Sequence, residues 1–425
     1  MTKITNYLLQ EKFSLRLFYI IIVLTIMISF FYNTQIVQAS DRKTSILYFN
    51  NRTEQSSWNW LSKGMTDMLI GDLSQVDFFT HSSRQEIEDL FYKYGLSPTL
   101  AEIDKSLLIQ FSENLDAEII FFGDFYLSSP SNLNLSLKRY EIQNGEITVF
   151  RDFIVKNTDI FNLIDNVVLF ILKELNAEIS IQDKDRVKKI PTISLEALSN
   201  YYKCLDSVDK ANIEYKGVDY PSKKLWAEAI DYGERAVAID PKYAEAYYLL
   251  AEIYNRTHWT IREANSLNSF IQLVEENQLE SKDIYKKASQ AYFRLGYAFY
   301  SKGEREQAIK YFISSTKYNP DSLEAHIYLV QIYYDMGAIG LSLDECEEVL
   351  RIDPQNKEIS WFIKKNEQSQ KYGRKAYENY ERGYLSYKNG NFEEAVSFFK
   401  SSILANPNFK EPHYYLAISY YQIGD

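Results

Sequence analysis

Residues 292–320 read YFRLGYAFYSKGEREQAIKYFISSTKYNP, and this stretch decides the fold of the C-terminal half. Large side chains recur there at the spacing of one helical face, first around Gly296 and again from Ala308 to Phe312. Small residues such as Gly296 and Ala308 are needed opposite the large ones, because two helices can approach closely only where one of them is small. The stretch therefore predicts a pair of packed helices that is complete at Pro320.

The same pattern recurs along the chain. Pro320 and Pro354 are 34 residues apart, and Pro241 and Pro407 mark further copies at longer steps. A helix–turn–helix unit of 34 residues is the signature of the tetratricopeptide repeat, and the quoted stretch closely resembles that family. Other copies keep part of the pattern, at Ala229, Ala236, Tyr247, Leu250, Ala251, Tyr254, Leu329, Tyr333, Gly383, Ala395 and Phe399.

The resemblance predicts an all-α tetratricopeptide solenoid over residues 194–425, with about five helix pairs and a final half-repeat. Two copies depart from the pattern. The pair after Tyr254 is irregular, and about 19 additional residues around Trp361 precede the next copy. A solenoid needs a polar element over its last apolar face, so the final half-repeat suggests either a truncated sequence or a partner that covers the end.

In this family the first helix of each pair lines a concave groove that binds protein partners. The packing face of residues 292–299 leaves aromatic side chains on the groove side, and the corresponding positions of other copies are also aromatic. A tyrosine ring offers a rigid apolar body with a polar tip, which suits peptide recognition, although packing within the solenoid is an equally good interpretation. The candidate binding residues are Tyr248, Phe293, Tyr297, Tyr300, Tyr334, Tyr377, Tyr380, Tyr384, Tyr387, Tyr414 and Tyr421.

Residues 42–178 predict a separate α+β or α/β domain. Short apolar runs such as Thr44–Phe49 and Ile119–Leu127 predict strands, and Trp58–Leu73 has helical spacing. An Asn144-Gly145 turn predicts a hairpin whose second strand runs from Ile147 through Val155, and Thr158 is the predicted cap of the last helix. Mixed strands and helices in this order indicate a layered α/β arrangement.

This domain resembles the amino-terminal domain of TolB-type proteins and the curli-assembly (CsgG) family. The resemblance rests on Ile46–Asn51, on the run from Trp60 to Ser74, on Gly95-Leu96-Ser97, on Asp116–Ile119 and on Asn144-Gly145-Glu146. It implies the envelope of a Gram-negative-type bacterium and contacts with other proteins. The curli-assembly proteins form pores with long additional hairpins and a lipid-modified cysteine, and here the strands are short and position 40 is serine.

The first 39 residues predict export. A basic segment is followed by the uncharged run Leu17–Tyr32 and by Val37-Gln38-Ala39, which is the small-residue pattern of a signal-peptide cleavage site. The alternative is an uncleaved membrane anchor, because Leu17–Ala39 carries no charge. Residues 177–193, rich in charge and ending near Pro191, predict a linker between the two domains.

Composition and the absence of known motifs exclude several classes of function. The formal net charge of −11 disfavours nucleic acid as a partner. The two cysteines and four histidines form no recognisable metal-ligand or disulfide pattern, so neither a metal nor another cofactor is predicted. The sequence also lacks a P-loop, a GxSxG motif and a glycine-rich dinucleotide turn, so no enzyme is predicted.

These features together predict a non-catalytic scaffold of the periplasm or cell envelope. It would bind envelope proteins or peptides through the repeat groove and through the α/β domain, and it would meet the membrane only through an uncleaved N-terminal segment. The alternative function, suggested by the curli-assembly resemblance, is an accessory component of an envelope secretion or assembly machine.

Overall fold

The computed structural model describes residues 43–74, 80–99, 102–177, 192–217 and 223–424. The described chain divides into two compact units, one up to Ala246 and the other from Tyr247 onward. The predicted export segment and most of the predicted 177–193 linker lie outside the described residues. A further short strand that the sequence predicts at Val76–Thr80 lies almost entirely outside them too. Within the described part of the chain, no helix combines the length and apolarity that crossing a membrane requires.

The first unit begins with a mixed sheet and its helices. The described strands are β1 (Thr44–Ile46), β2 (Asn50–Asn51), β3 (Ile119–Ser129), β4 (Asn132–Glu141), β5 (Glu146–Val149) and β6 (Phe153–Lys156). The helices are α1 (Trp60–Leu73), α2 (Arg84–Lys93), α3 (Lys105–Leu115) and α4 (Ile160–Glu174). β1 and β2 run parallel to β3, which pairs antiparallel with β4, and β4 pairs antiparallel with both β5 and β6. The predicted mixture of strands and helices is confirmed.

The core of this region is centred on β3. Every side chain from Ile119 to Phe125 is buried, so both faces of the strand are covered. A strand buried on both faces is typical of the interior of a sheet, because a strand with one face in solvent alternates apolar and polar residues. The segment after β1 is tied to α1 by a buried hydrogen bond in which the Thr66 hydroxyl donates to the Leu47 carbonyl over 2.8 Å.

Two local predictions are corrected in this region. The strand predicted over Ile147–Val155 is two short strands, because β5 and β6 pair with different halves of β4. Between them the Phe150 ring meets Phe170 of α4 edge-on, with 4.8 Å between the ring centres. The predicted cap Thr158 is not the cap of α4; Asp159 precedes the helix and makes no capping hydrogen bond through its side chain.

The first unit also contains the first helix pair of the C-terminal half, α5 (Leu195–Gly217) and α6 (Lys223–Ile239). The rings of Trp60 on α1 and Tyr202 on α5 are stacked, with 6.1 Å between their centres and 13° between their planes. Residues of both helices share one buried apolar cluster with the sheet. The compact unit therefore extends past the predicted 177–193 boundary as far as Ala246.

A buried ionic cluster joins α5 to α1 and α2. The Lys63 ammonium lies 2.9 Å from Glu88, 2.9 Å from Asp206 and 3.2 Å from Asp209. Asp209 also lies 2.5 Å from the guanidinium of Arg84. Burial by itself would lower the pKa of Lys63, but the surrounding carboxylates raise it above its usual value. These five residues form what we call the ionic cluster.

The remaining helices form the repeat array. They are α7 (Ala244–Arg256), α8 (Thr260–Glu276), α9 (Lys282–Ser301), α10 (Arg305–Tyr318), α11 (Leu323–Met336), α12 (Ile339–Ile352), α13 (Lys357–Tyr372), α14 (Arg374–Lys388), α15 (Phe392–Ala405) and α16 (Lys410–Ile423). The α9–α10, α11–α12 and α14–α15 pairs each pack extensively, as the sequence pattern predicts. The predicted all-α array after the α/β region is confirmed.

The glycines of the repeat pattern mark the closest approach within two pairs. A Cβ atom added to Gly296 of α9 would lie 3.0 Å from the Phe312 ring of α10, and one added to Gly383 of α14 would lie 2.8 Å from the Phe399 ring of α15. Both phenyl rings are fully buried. Neither Gly296 nor Gly383 has a positive φ angle, so the backbone conformation does not require glycine at these positions. Glycine is required there because of the close packing between the two helices.

The additional residues around Trp361 form a helix of their own, α13, rather than an irregular loop. Ile359 of this helix joins a buried cluster with Val330, Cys346 and Val349 of the preceding pair. Asn366 of α13 is fully buried and donates to the Ser342 hydroxyl over 3.1 Å. The insertion therefore extends the packed interior of the solenoid by one helix.

Two of the histidines and one of the cysteines lie at well-defined positions in the repeat array. His326 is buried, with one ring nitrogen 2.6 Å from Glu345 and the other 3.2 Å from the Pro320 carbonyl. Burial opposes the charged ring, but the hydrogen bond to Glu345 raises the pKa of His326 above its usual value. His413, at the equivalent position 87 residues later, is exposed. Cys346 is fully buried and forms no disulfide bond.

Candidate functional site

The candidate site begins with the aromatic face of α9. Phe293, Tyr297 and Tyr300 are spaced as i, i+4 and i+7, so they lie along one side of the helix. Tyr328 of α11 packs against all three, and its ring stacks on the buried ring of Phe312 with 5.3 Å between centres and 13° between planes. We call Phe293, Tyr297, Tyr300 and Tyr328 the first aromatic cluster.

The rings of this cluster meet edge to face rather than in parallel. Tyr328 lies 5.6 Å from Tyr297 at 71° and 5.1 Å from Tyr300 at 68°. Such tilted contacts are favourable because the positive edge of one ring faces the negative face of the other. Tyr297 keeps 48% of its surface exposed, so the packing leaves part of the cluster open to solvent.

A second aromatic cluster lies on α14 and α16. It consists of Tyr380, Tyr384 and Tyr387 on α14 with Tyr415 on α16. The Tyr415 ring stacks on the buried Phe399 ring, with 5.9 Å between centres and 22° between planes. It meets Tyr384 at 5.1 Å and 74°, and Tyr387 at 5.6 Å and 59°. The four tyrosines are partly buried and partly open to solvent.

The two clusters correspond residue by residue. Each aromatic side chain of the first has its counterpart 87 positions later, namely Phe293 and Tyr380, Tyr297 and Tyr384, Tyr300 and Tyr387, Phe312 and Phe399, and Tyr328 and Tyr415. Six of the eleven predicted residues therefore lie in the two aromatic clusters. A seventh, Tyr377, contacts Tyr380 of the second cluster with 6.2 Å between ring centres. Tyr414 and Tyr421 of α16 are largely exposed beside this arrangement, at 64% and 78%.

Two predicted groove residues lie in the interior instead. Tyr248 is buried against Phe270, and its hydroxyl donates to Gln290 over 2.7 Å. Tyr334 is only 1% exposed, because α13 packs over it and its hydroxyl lies 3.3 Å from Ser369. Neither ring is accessible to a ligand, so both are removed from the candidate site.

Helical spacing in the sequence did not select Tyr328 and Tyr415. The i, i+4, i+7 spacing selects positions 327 and 334 on α11, and positions 414 and 421 on α16. Tyr328 and Tyr415 each lie one position after the first residue of that spacing, on the side of the helix that faces the preceding repeat. Each nevertheless contacts three or more aromatic residues of its cluster. The constant 87-residue spacing was the signal that could have identified them.

Ionisable groups around the clusters are engaged within the protein. Burial raises the pKa of Tyr377 and of Tyr380 to about 12, so both hydroxyls remain protonated and can donate at neutral pH. Arg374 pairs with Glu378 over 2.8 Å, and its guanidinium lies 4.7 Å from the centre of the buried Tyr334 ring. Burial also raises the pKa of Glu381, against the opposing influence of Lys365 and of a hydrogen bond with Tyr377.

A shallow cavity of about 390 Å³ lies on α13. It is lined by Lys357, Glu358, Trp361 and Phe362. Lys365 extends over the neighbouring rings, with its ammonium 4.9 Å from the centre of Trp361. Among the residues that the structure describes, no group of three or more His, Cys, Asp or Glu side chains is arranged to hold a metal ion.

Comparison with known proteins identifies the repeats. Residues 293–357 and residues 379–409 match family models of the tetratricopeptide repeat. These two stretches therefore contain tetratricopeptide repeats, as the 34-residue pattern predicts. The resemblance of residues 42–178 to TolB-type and curli-assembly proteins stays a prediction. None of the curated proteins matches the sequence.

Several solved structures share parts of the fold. The MamA protein is 18% identical, with 48% of this chain and 91% of that chain covered and a TM-score of 0.31. YrrB, described as a TPR protein with an unusual peptide-binding site, is 13% identical, with coverage of 52% and 97% and a TM-score of 0.27. The LpoB C-terminal domain from Salmonella enterica is 22% identical, with coverage of 28% and 84% and a TM-score of 0.24. These likenesses concern the fold alone.

Proposed function

We propose that this protein is a non-catalytic scaffold of the cell envelope that binds a protein partner on the aromatic face of its repeat helices. The repeats themselves support an interaction scaffold, because arrays of this kind bind proteins or peptides. The observation that carries the proposal is the pair of aromatic clusters, in which tyrosine rings are held by packing yet remain partly open to solvent.

Half-open tyrosines suit recognition for a physical reason. A ring fixed by its neighbours loses little further conformational entropy when a ligand covers it, and its hydroxyl can still donate a hydrogen bond. A solvated surface gains little from such an arrangement, whereas an interface gains both buried apolar area and specificity. The clusters therefore fit a binding surface better than they fit an ordinary exposed helix face.

The envelope setting rests on the sequence. The uncharged run Leu17–Tyr32 and the cleavage pattern ending at Ala39 support export. The resemblance of residues 42–178 to TolB-type and curli-assembly proteins supports a second contact, made by the α/β region with another envelope component. In this proposal the protein holds two envelope proteins near each other, one through each part of the chain.

A crosslinking pull-down from the native envelope tests the proposal. The full chain is compared with a variant carrying Tyr380→Ala and Tyr384→Ala, which removes two rings of the second cluster. Loss of a specific partner, with the helical content and melting temperature retained, is the expected result. Tyr285→Ala on α9 is the control, because this ring is 40% exposed but lies outside both clusters. An unchanged partner list in the double variant would refute binding at the second cluster.

A further inference from the structure

β5 and β6 together form one edge of the sheet in the α/β region. Both strands pair with β4, β5 with residues 138–141 and β6 with residues 132–135, so they lie end to end along the side of β4 that faces away from β3. In the described parts of the chain, β4 is the only strand that pairs with either of them. The outer edge of such a strand presents backbone N–H and C=O groups with which another strand can pair.

A one-residue bulge connects β5 and β6. Val149 pairs with Lys138 and Phe153 pairs with Leu135, so four steps along the edge, from 149 to 153, span only three along β4, from 138 to 135. Side chains alternate between the two faces along a strand, so one additional residue exchanges the odd and even positions. Odd-numbered residues of β5 therefore share a face of the sheet with even-numbered residues of β6.

The edge carries exposed apolar side chains on that face. Ile147, Val149 and Ile154 all pair with even-numbered residues of β4, which places them on the same face. Val149 is 62% exposed and Ile154 is 61% exposed, and Ile147 is exposed too. The rings of Phe150 and Phe153 lie on the other face, where both contact α4. One face of the edge is therefore covered, whereas the other presents β-branched side chains to solvent.

We propose that this edge binds the same edge of a second copy of the chain, antiparallel to it, with the twofold axis between Arg151 and Asp152. The two sheets then join into one, and every contact across the axis occurs twice. The inference is independent of the aromatic clusters, because it concerns the sheet and not the repeat helices. A dimer carries two copies of the repeat array, so a partner with two binding motifs is held at both.

The distribution of side chains over the two faces selects this position of the axis. Residues that lie directly opposite each other in an antiparallel pair share a face. With the axis there, Val149 lies opposite Ile154 of the second copy, and Phe150 lies opposite Phe153 of the second copy. A shift of one residue in either direction would place the exposed Val149 opposite a residue of the covered face. The apolar side chains of the edge therefore complement one another in one register.

Charge favours the same register. Arg151 is exposed, and in this register it lies opposite Asp152 of the second copy, so the twofold axis produces two such pairs. The Asp152 carboxylate is held by Tyr126, whose hydroxyl donates to it over 2.5 Å. An axis through Arg151 itself would instead place two arginines opposite each other, and like charges in that position are destabilising.

A second copy fits this edge better than an unrelated strand because the edge is complementary to itself. Charged residues and bulges often protect an edge from pairing. Here the charges nearest the axis are opposite in sign across it, and the bulge lies at the axis. Both copies then contain the additional residue at the same place, so neither strand is longer than its partner. The features that would block another strand are matched between two copies.

Sedimentation equilibrium of the full chain over a dilution series tests the inference, with two variants that differ only in charge pattern. The unmodified chain should have twice the mass of a monomer and dissociate on dilution. Val149→Lys/Ile154→Lys places lysine opposite lysine at both contacts, so this variant should be a monomer. Val149→Lys/Ile154→Glu places lysine opposite glutamate and should form the dimer again. Both side chains are largely exposed, so the melting temperature of the monomer should change little in either variant.

An unmodified chain that is a monomer at every concentration overturns the inference. A dimer in the variant with two lysines also overturns it, because another surface would then hold the copies together. A monomer in the variant with lysine and glutamate shows that the register is wrong. If the edge binds a strand of another protein instead, the unmodified chain is a monomer and the variant with two lysines loses a partner in the envelope pull-down. None of these results affects the proposed function, which the Tyr380→Ala/Tyr384→Ala variant tests separately.

Discussion

Replacing Lys63 by methionine should destabilise the first unit through the ionic cluster. Lys63 is only 7% exposed at its side chain and lies within 3.2 Å of three carboxylates, those of Glu88, Asp206 and Asp209. Methionine keeps the length and apolar stem of lysine but removes the charge. The substitution therefore removes the ammonium that the three carboxylates share, and Arg84, the other cation of the ionic cluster, is paired with Asp209.

The magnitude follows from the burial of the cluster. Removing one partner from a buried ion pair costs about 3–5 kcal/mol, because the remaining charge is left uncompensated in the interior. For a unit of about 200 residues, each kcal/mol shifts the melting temperature by roughly 2–4 °C, so we expect a decrease of roughly 6–20 °C. Burial opposes ionisation of Asp206, but Lys63 holds its pKa below the ordinary value, so this part of the decrease should be complete above about pH 4 and should shrink below it.

Differential scanning calorimetry of the full chain measures this effect, and Lys210→Met is the matched control. Lys210 contacts the same Asp206 as Lys63 does, at 2.5 Å, but its side chain is 58% exposed. Exposed pairs contribute about 0–1 kcal/mol, so the control should shift the transition by at most a few degrees. Hydrogen exchange in α5 and β3 should increase together in Lys63→Met, since both belong to one compact unit.

Equal shifts for the two lysine variants would refute the reasoning. That result would mean that the ionic cluster is open to water in solution and that burial does not set its energy. A large shift in Lys63→Met without any change in the exchange of α5 would also contradict it, because Asp206 and Asp209 both lie on that helix.

Two further predictions concern the repeats. His326→Gln should lower the free energy of unfolding more at pH 5.5 than at pH 9. The reason is that a group with a raised pKa contributes stability that is complete below about pH 6.5 and is lost as the pH rises through the folded-state pKa. Urea unfolding at both pH values measures this difference, and an equal change in His413→Gln, whose ring is exposed, would contradict it. Gly383→Ala should destabilise the array by up to about 2 kcal/mol, because the clash of the new Cβ with the Phe399 ring at 2.8 Å costs about 1–3 kcal/mol and the helix propensity of alanine offsets about 1. Gly71→Ala, with no atom within 4 Å of its new Cβ, should instead stabilise the protein, and thermal unfolding of both variants measures the two effects. A gain in stability for both variants would show that Gly383 is not at a close contact.

Local rules predicted much of the repeat array. Gly296 and Ala308 indicated close helix packing, and Pro320 with Pro354 gave the period, because a repeat unit contacts only its neighbours and its pattern is therefore visible along the chain. The same local rules placed β3 and its neighbouring helices. They failed at Ile147–Val155, where two segments pair with different halves of β4 and no local signal marks the division.

The candidate site was predicted in part. The spacing on single helices selected Tyr297 and Tyr384, which lie in the clusters. It also selected Tyr334, which a packed neighbour covers, and it omitted Tyr328 and Tyr415, which complete the clusters from an adjacent repeat. Helical periodicity identifies which residues share one face of a helix, but it does not reveal whether another helix packs over that face.

The sequence by itself determined the class of each region: a mixed α/β segment followed by helical repeats, and aromatic residues as the candidate ligand contacts. These properties are local, since they depend on periodicity, small residues and turns over a few tens of residues. Only the tertiary structure decided that α5 packs on α1 through Lys63 and Asp209, that α13 buries Tyr334, and that two clusters have the same ring geometry. Those contacts join residues that are distant in sequence, and burial and pairing of that kind depend on how all the elements pack together.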